Sequence, residues 1–205
     1  MVELHISDPF KIVGDENNLF VDEISKKQGL YLWTIKDKDN DDKYFVNYVG
    51  ITYGKNGSFG NRIQTEIGLV CSGLWSTYNA EAAKSGKEKF EWKGKEMVSE
   101  YNLSEFFINF NNDYFEKVKS YLEAIEIFCL EIEGGLKKDT PIHRIEHKIG
   151  KILYNKQKST DKYGKLLHKL LKTSKDEMSE KTKNILIKIK PEERVNKIYG
   201  LEKEF

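Results

Sequence analysis

Two β-rich segments joined by a short polar turn limit most strongly how this chain can fold. The first segment reads GLYLWTI over 29–35, the turn reads DKDNDD over 37–42, and the second segment reads YFVNYVGIT over 44–52. Runs of this kind on either side of a polar turn predict a β-hairpin. Because apolar or aromatic residues occupy nearly every position, we expect both faces of the resulting sheet to be covered.

A glycine-rich loop follows the second segment and leads to Arg62. Apolar residues recur after it at helical spacing, which predicts a helix that starts near Ser58 and ends before Gly73. Arg62 would then lie in the first turn, where backbone N–H groups favour an anion. Gly50, near the end of the second strand, would let a ligand approach the backbone. A phosphate is the ligand that this arrangement favours.

Three motifs in this order resemble the GIY-YIG nuclease family. They are Gly29-Leu30-Tyr31, then Tyr48-Val49-Gly50-Ile51-Thr52, then Arg62, with leucine and valine in place of the two isoleucines. The resemblance covers roughly the first third of the chain strongly and one later helix more loosely. It implies a mixed α/β (α+β) fold with a three-stranded antiparallel central sheet flanked by helices.

The resemblance also implies a division of the chain. One domain, 1–205, would contain a nuclease-like core at 26–155 with an insertion at 71–101, followed by a C-terminal extension at 156–205. The third core strand is predicted over 125–132, and continuation of the helix predicted at 104–122 is the alternative. Further predicted elements are an edge strand at 4–6 and 10–13, a short helix at 75–83, a basic helix at 164–172, and a strand at 185–190 that pairs with 195–201.

A helix that opens at Pro141 carries the last part of the resemblance. Its apolar stripe leaves Glu146 at the border, where a carboxylate costs desolvation unless a cation compensates for it. The family places its metal-binding glutamate in the helix after the third strand, and Arg144-Ile145-Glu146 resembles that stretch. Asn155 is the nearest candidate for an asparagine that the family often carries at the end of this helix.

The resemblance assigns a role to each catalytic candidate. Glu146 would bind one Mg²⁺ or Mn²⁺ beside a DNA phosphate, and Arg62 would bind a phosphate oxygen. Tyr31 would accept or orient the proton of the attacking water, and Tyr48 would position Tyr31 or that water. Lys55, in the glycine-rich loop, and Asn155 are further candidates for substrate binding.

Each of these residues also has a structural interpretation. Tyrosines on central strands are usually core aromatics, and Arg62 with Glu66 has the i,i+4 spacing of a surface ion pair. Glu146 has three basic neighbours in sequence: Arg144, Lys148 and Lys151. Glu66 is a departure from the family, many of whose members have histidine or tyrosine at this spacing. That departure allows an altered proton path, an extra metal ligand, or lost activity.

Composition and charge limit the functional classes to which this chain can belong. The net charge is only +1, but nine lysines and four acidic residues gather in 156–183, which leaves DNA as a possible partner. No apolar run reaches membrane-spanning length and no signal-like start is present, so we expect a cytoplasmic protein without a membrane partner. The sequence says nothing about oligomeric state. Cys71 and Cys129 are predicted to be small buried residues.

Three other motifs resemble known sites only superficially. Residues 50–55 fall one position short of a nucleotide-binding P-loop, so no nucleotide cofactor is expected. The turn at 37–42 lacks the glycine of a calcium loop. His143-x-x-Glu146-His147 matches a zinc-protease signature, but such enzymes are longer and need a distant third ligand. A DNA endonuclease is therefore the leading hypothesis, a catalytically weak nucleic-acid-binding module the second, and a zinc peptidase the third.

Overall fold

A computed structural model describes residues 1–54, 57–95, 106, 108, 112–158 and 179–205. Its main feature is a six-stranded sheet in which the two predicted hairpin strands lie side by side. β3 (Gly29–Lys36) and β4 (Tyr44–Thr52) pair antiparallel, and β7 (Ile125–Ile132) pairs antiparallel with the other side of β3. These three strands are the ones predicted from the sequence, and the alternative of a continuing helix over 125–132 is wrong.

The predicted count of three strands is wrong, because segments from both ends of the chain extend the sheet. β1 (Val2–Ile6) pairs antiparallel with β7 and parallel with β8 (Ile187–Lys190). β2 (Phe10–Lys11) also pairs with β7, further along that strand. β1 is therefore an interior strand and not the predicted edge. The described path of the sheet runs β4, β3, β7, β1, β8.

Both faces of the sheet are covered, as the apolar character of β3 and β4 predicted. Every residue of β4 and all but the last of β3 are buried. Alternate residues of β3 point to opposite faces: Tyr31 and Trp33 belong to one hydrophobic cluster, whereas Leu30 and Leu32 belong to the other. The sheet is thus the middle layer between two separate cores.

Two helices cover these faces on either side of β4. α1 (Phe59–Cys71) packs on the Tyr31 face, and Ser58 caps it by accepting a hydrogen bond from the Asn61 backbone N–H. This agrees with the helix predicted between Ser58 and Gly73. Cys71, in the last turn, is exposed, contrary to the prediction, whereas Cys129 in β7 is buried.

The segment predicted to be an insertion, 71–101, is described as far as residue 95 and contains smaller elements than predicted. β5 (Thr77–Tyr78) pairs with β6 (Phe90–Trp92), and α2 (Ala80–Lys84) lies between them. The helix predicted over 75–83 is therefore correct only in its last residues. The following helix, α3 (Asn112–Glu123), adds Tyr114, Val118 and Tyr121 to the core that contains Tyr31.

The second face is covered by the long helix after β7. This helix, α4 (Ile142–Lys158), begins directly after Pro141 and buries Ile142, Ile145, Ile149 and Leu153 of the predicted apolar stripe beneath β4 and β3. Ile152, which was also predicted to lie in the buried stripe, is only partly buried. Two short helices follow, α5 (Glu180–Lys183) and α6 (Glu192–Val195).

The end of the chain pairs differently from the prediction. β8 lies within the predicted strand at 185–190, but its hydrogen bonds join Ile187 to Phe205 and Ile189 to Lys203, not to 195–201. Residues 197–199 instead contact the start of β4 at Tyr44. The predicted basic helix at 164–172 lies outside the described residues. In the part of the chain that is described, no helix has the length and apolar character needed to cross a bilayer.

Candidate active site

A cleft lies at the Thr52 end of β4, and both covering helices contribute residues to its lining. Its volume is about 440 Å³. Arg62, from α1 on one face of the sheet, and Glu146, from α4 on the other face, both line it. The remaining lining residues come from the end of β4, the loop after it, α1 and α4: Ile51, Thr52, Tyr53, Gly57, Ser58, Asn61, Thr65 and His143.

Tyr31 lies behind this cleft and has no exposed surface. Its strand register places it opposite Gly50, and a Cβ atom added to Gly50 would lie 2.3 Å from the phenol oxygen of Tyr31. Gly50 therefore makes room for the Tyr31 ring. This differs from our expectation that a ligand would approach the backbone there. The ring centroids of Tyr31 and Tyr48 are 6.2 Å apart, so the two phenols are neighbours.

Arg62 and Glu66, one turn apart on α1, meet the Tyr31 hydroxyl. Tyr31 donates a hydrogen bond of 2.5 Å to Glu66 Oε1, and Arg62 Nε lies 3.1 Å from the same oxygen. Arg62 Nε also donates to the Tyr31 hydroxyl at 3.4 Å. These three side chains form one closed polar cluster.

Glu66 is the site residue whose position the sequence interpretation missed. Its side chain has no exposed surface, although its spacing from Arg62 also suits a surface ion pair. Glu66 follows Ile63 by three positions and precedes Val70 by four, and both are buried. That spacing on the apolar face of α1 was the available signal. Its second oxygen, Oε2, is buried, and no described residue is hydrogen-bonded to it.

Burial changes the acidity of both carboxylates. It raises the pKa of Glu66 to about 7, and Glu146 adds to this rise, while the Tyr31 hydrogen bond and Arg62 oppose it. Burial likewise raises the pKa of Glu146 to about 7, against the effect of Arg62. The Glu146 side chain is 25% exposed, and His143 Nδ1 lies 3.9 Å from its Oε2. Two carboxylates of near-neutral pKa therefore flank one guanidinium.

Both phenols remain protonated at neutral pH. Burial, followed by the charge on Glu66, raises the pKa of Tyr31 well above its ordinary value. Burial also raises the pKa of Tyr48, with contributions from Glu66 and then Glu146, and Arg62 opposes that rise. Glu146 thus raises the pKa of Tyr48 as well as that of Glu66.

The described structure places only one of the two further residues predicted to bind substrate. Lys55 lies outside the described residues. Asn155 is exposed and follows Glu146 by nine residues on α4, which corresponds to about 13 Å along the axis and half a turn around it. Asn155 and Glu146 therefore lie on opposite sides of α4. The asparagine that lines the cleft is Asn61.

His143 and Glu146 of the zinc-protease signature both line the cleft, whereas His147 is not among its lining residues. The His143 ring packs edge-on against Tyr53, with ring centroids 4.8 Å apart. His147 Nε2 is buried, and no described residue is hydrogen-bonded to it. Over the described ranges, no group of three or more histidine, cysteine, aspartate or glutamate side chains is arranged to hold a metal ion. A zinc site here would need a third ligand that these residues do not supply.

A larger hollow, of about 660 Å³, lies elsewhere, beside β7 and the turn that follows it. Its charged groups are paired with each other: Lys27 with Glu131 at 2.9 Å, and His5 with Glu133 at 3.8 Å. Neither Arg62 nor Glu146 lines it. The Arg62 and Glu146 cleft is therefore the better candidate for chemistry, although it is smaller.

Comparison of the chain with protein-family models, with curated proteins and with solved structures gave no match.

Proposed function

We propose that this protein is a metal-dependent endonuclease that hydrolyses DNA phosphodiester bonds with a GIY-YIG-type site. One observation carries the proposal: Arg62 and Glu146, far apart in sequence and on opposite faces of the sheet, line the same cleft. A cation that can hold a phosphate and a carboxylate that can hold a metal ion are the two groups that this hydrolysis requires. The GIY-YIG resemblance places its arginine and glutamate at these two positions.

A hard divalent cation would find oxygen atoms of the type it prefers in this cleft. Glu146 is partly exposed to it, and Thr52, Ser58, Asn61 and Thr65 add hydroxyl and amide oxygens around it. Mg²⁺ is commonly bound by one or two carboxylates while it keeps several waters and contacts a substrate phosphate. Glu146 would hold Mg²⁺ or Mn²⁺, and the bound ion would supply an activated water and neutralise charge on the phosphate.

Arg62 contributes a fixed positive charge. Its guanidinium is anchored through Nε on Glu66 and Tyr31, while its side chain is 44% exposed and lines the cleft. Arginine suits this role because the planar guanidinium can bind phosphate oxygens in a fixed geometry. Arg62 would therefore bind the scissile phosphate and stabilise the charge that develops on it.

The catalytic roles that we propose for Tyr31 and Tyr48 differ from those that the resemblance implied. Tyr31 is fully buried and bonded to Glu66 and Arg62, so it supports Arg62. Tyr48 keeps a small exposed fraction and lies within the electrostatic influence of Glu146. Because Tyr48 remains protonated, its hydroxyl would orient the attacking water by hydrogen bonding rather than act as a phenolate base.

A plasmid-nicking assay with Mg²⁺ or Mn²⁺ tests this function. The wild-type protein should convert supercoiled DNA to nicked or linear forms, and both chelation of the metal and Glu146→Ala should abolish the conversion. Glu126→Gln is a suitable control, because Glu126 accepts a hydrogen bond from Tyr44 near the opposite end of the hairpin. Cleavage that persists in the Glu146→Ala variant would contradict the proposal.

A catalytically weak nucleic-acid-binding module is the second candidate. The observation that favours it is the buried carboxylate of Glu66. Together with Glu146, it places two acidic groups near Arg62, which is the one guanidinium of this cluster among the described residues. Such a module would bind DNA in the presence of metal without cleaving it. The zinc peptidase alternative would require zinc bound in stoichiometric amount together with peptide hydrolysis.

A further inference from the structure

Glu66 makes contacts that the proposed reaction does not explain. Its carboxylate is fully buried, yet within the described ranges only one of its oxygens is hydrogen-bonded, and that oxygen contacts both Tyr31 and Arg62. Burying a carboxylate is costly unless its partners compensate for the lost hydration. An alanine or leucine on this face of α1 would avoid that cost. The contacts of Glu66 therefore point to a role in the site rather than in the core.

We propose that Glu66 is a positioning residue that fixes the Arg62 guanidinium for phosphate binding, with Tyr31 as the third member of the cluster. This inference rests on the proposed function and specifies how its cation is oriented. Glu66 acts on the reaction through Arg62 and does not touch the substrate. It replaces the histidine or tyrosine that the resemblance would place at this position.

The geometry of Arg62 supports this role. The guanidinium uses its Nε–H toward the buried oxygen of Glu66, at 3.1 Å, and toward the Tyr31 hydroxyl, at 3.4 Å. The Arg62 side chain nevertheless lines the cleft. Arg62 therefore reaches from its buried partners, Glu66 and Tyr31, to the open cleft. An arginine held at one edge in this way loses less conformational freedom when it binds phosphate than a free one does.

The same cluster makes the position of Arg62 dependent on the charge of Glu66. Four groups interact electrostatically with Glu66: Tyr31 of β3, Tyr48 of β4, Arg62 of α1 and Glu146 of α4. When Glu66 takes up a proton, its charge attraction to Arg62 is lost and only a hydrogen bond between Arg62 and a neutral carboxyl group remains. Arg62 should then stabilise the charge that develops on the phosphate in the transition state less well.

A double-mutant cycle tests whether Glu66 acts through Arg62. Glu66→Gln, which keeps the side-chain shape but not the charge, should lower kcat by about tenfold or more while KM for DNA changes less than threefold. In an Arg62→Ala background the same change should lower kcat no further. Glu126→Gln, which also removes a carboxylate bonded to a tyrosine, should leave kcat unchanged. An equal loss in both backgrounds, or wild-type kcat in Glu66→Gln, would overturn the inference.

A second measurement does not depend on cleavage. The Nε–H of Arg62 should give a slowly exchanging signal by NMR in the wild-type protein, and exchange should be at least tenfold faster in Glu66→Gln. If the wild type shows this protection but does not cut DNA, the proposed function is wrong while the positioning role stands. Rapid exchange in the wild type, or equal exchange in both proteins, would refute the positioning role directly.

Discussion

The buried carboxylate of Glu66 should make the stability of this protein depend on pH in a defined direction. Burial raises the pKa of Glu66 from 4.5 to about 7 in the folded protein. Between these two pH values the folded protein keeps a proton that the unfolded chain has lost. Since the folded state then binds more protons, the free energy of unfolding must fall as the pH rises through this window.

The size of the effect follows from the shift. A pKa difference of 2.5 units, from 4.5 to 7, corresponds to about 3 kcal/mol at roughly 1.4 kcal/mol per unit. Glu66→Gln removes this titration and leaves a neutral side chain of similar shape. The stability of the variant relative to the wild type should therefore increase by about 3 kcal/mol between pH 4.5 and pH 8.

Urea unfolding, followed by the fluorescence of the three tryptophans, measures this difference at each pH. Taking the difference between the two proteins cancels the titration of carboxylates that they share. Glu126→Gln serves as the control for the loss of a carboxylate that accepts a hydrogen bond from a tyrosine. If the difference in unfolding free energy between Glu66→Gln and the wild type is constant from pH 4.5 to pH 8, the interpretation of Glu66 as a buried, destabilised carboxylate is refuted.

Three further predictions concern the residues around the cleft. Gly50→Ala should destabilise the protein by about 1–3 kcal/mol in urea unfolding, because its methyl group would overlap the Tyr31 phenol. Gly68→Ala, in α1 with open space around it, should instead stabilise by about 0.5 kcal/mol, and equal effects of the two changes would contradict this packing. Arg62→Lys should lower kcat about 100-fold in the nicking assay, because the ammonium group of lysine cannot reproduce the planar contacts of the guanidinium. Circular dichroism should show that the fold is intact, and near-normal turnover would argue against this role of Arg62. Tyr53→Ala should weaken the binding of single-stranded DNA by about 1 kcal/mol in fluorescence anisotropy, because Tyr53 is an exposed ring on the cleft. Phe115→Ala, an equally exposed ring on α3, should have no effect, and equal losses in both variants would exclude a specific stacking role for Tyr53.

Local patterns were sufficient to predict the elements that build the site. The hairpin, α1 and α4 each carry apolar spacing together with a clear boundary residue, such as Ser58 before α1 and Pro141 before α4. Glu146 at the border of an apolar stripe was likewise readable from its neighbours. These signals depend on residues close together in the chain, so no tertiary information was needed.

Long-range pairing was not predictable in the same way. β1 lies between β7 and β8, which are more than a hundred residues away from it, and its five residues give no sign of either partner. The burial of Glu66 depends on the Tyr31 hydroxyl reaching across the layer between β3 and α1. The space for Tyr31 in turn depends on the strand register that sets it opposite Gly50. Each of these features requires knowledge of how separate elements meet.

The metal dependence of cleavage by the Glu146 site tests the central claim most directly. Single-turnover cleavage of a labelled DNA duplex should be followed over a range of Mn²⁺ concentrations with wild-type protein, Glu146→Ala and Arg62→Ala. Cleavage by the wild type should rise with Mn²⁺ and saturate, and each variant should lose at least 100-fold of the saturated rate. A wild-type rate that does not depend on Mn²⁺, or full cleavage by Glu146→Ala, would contradict the proposed site.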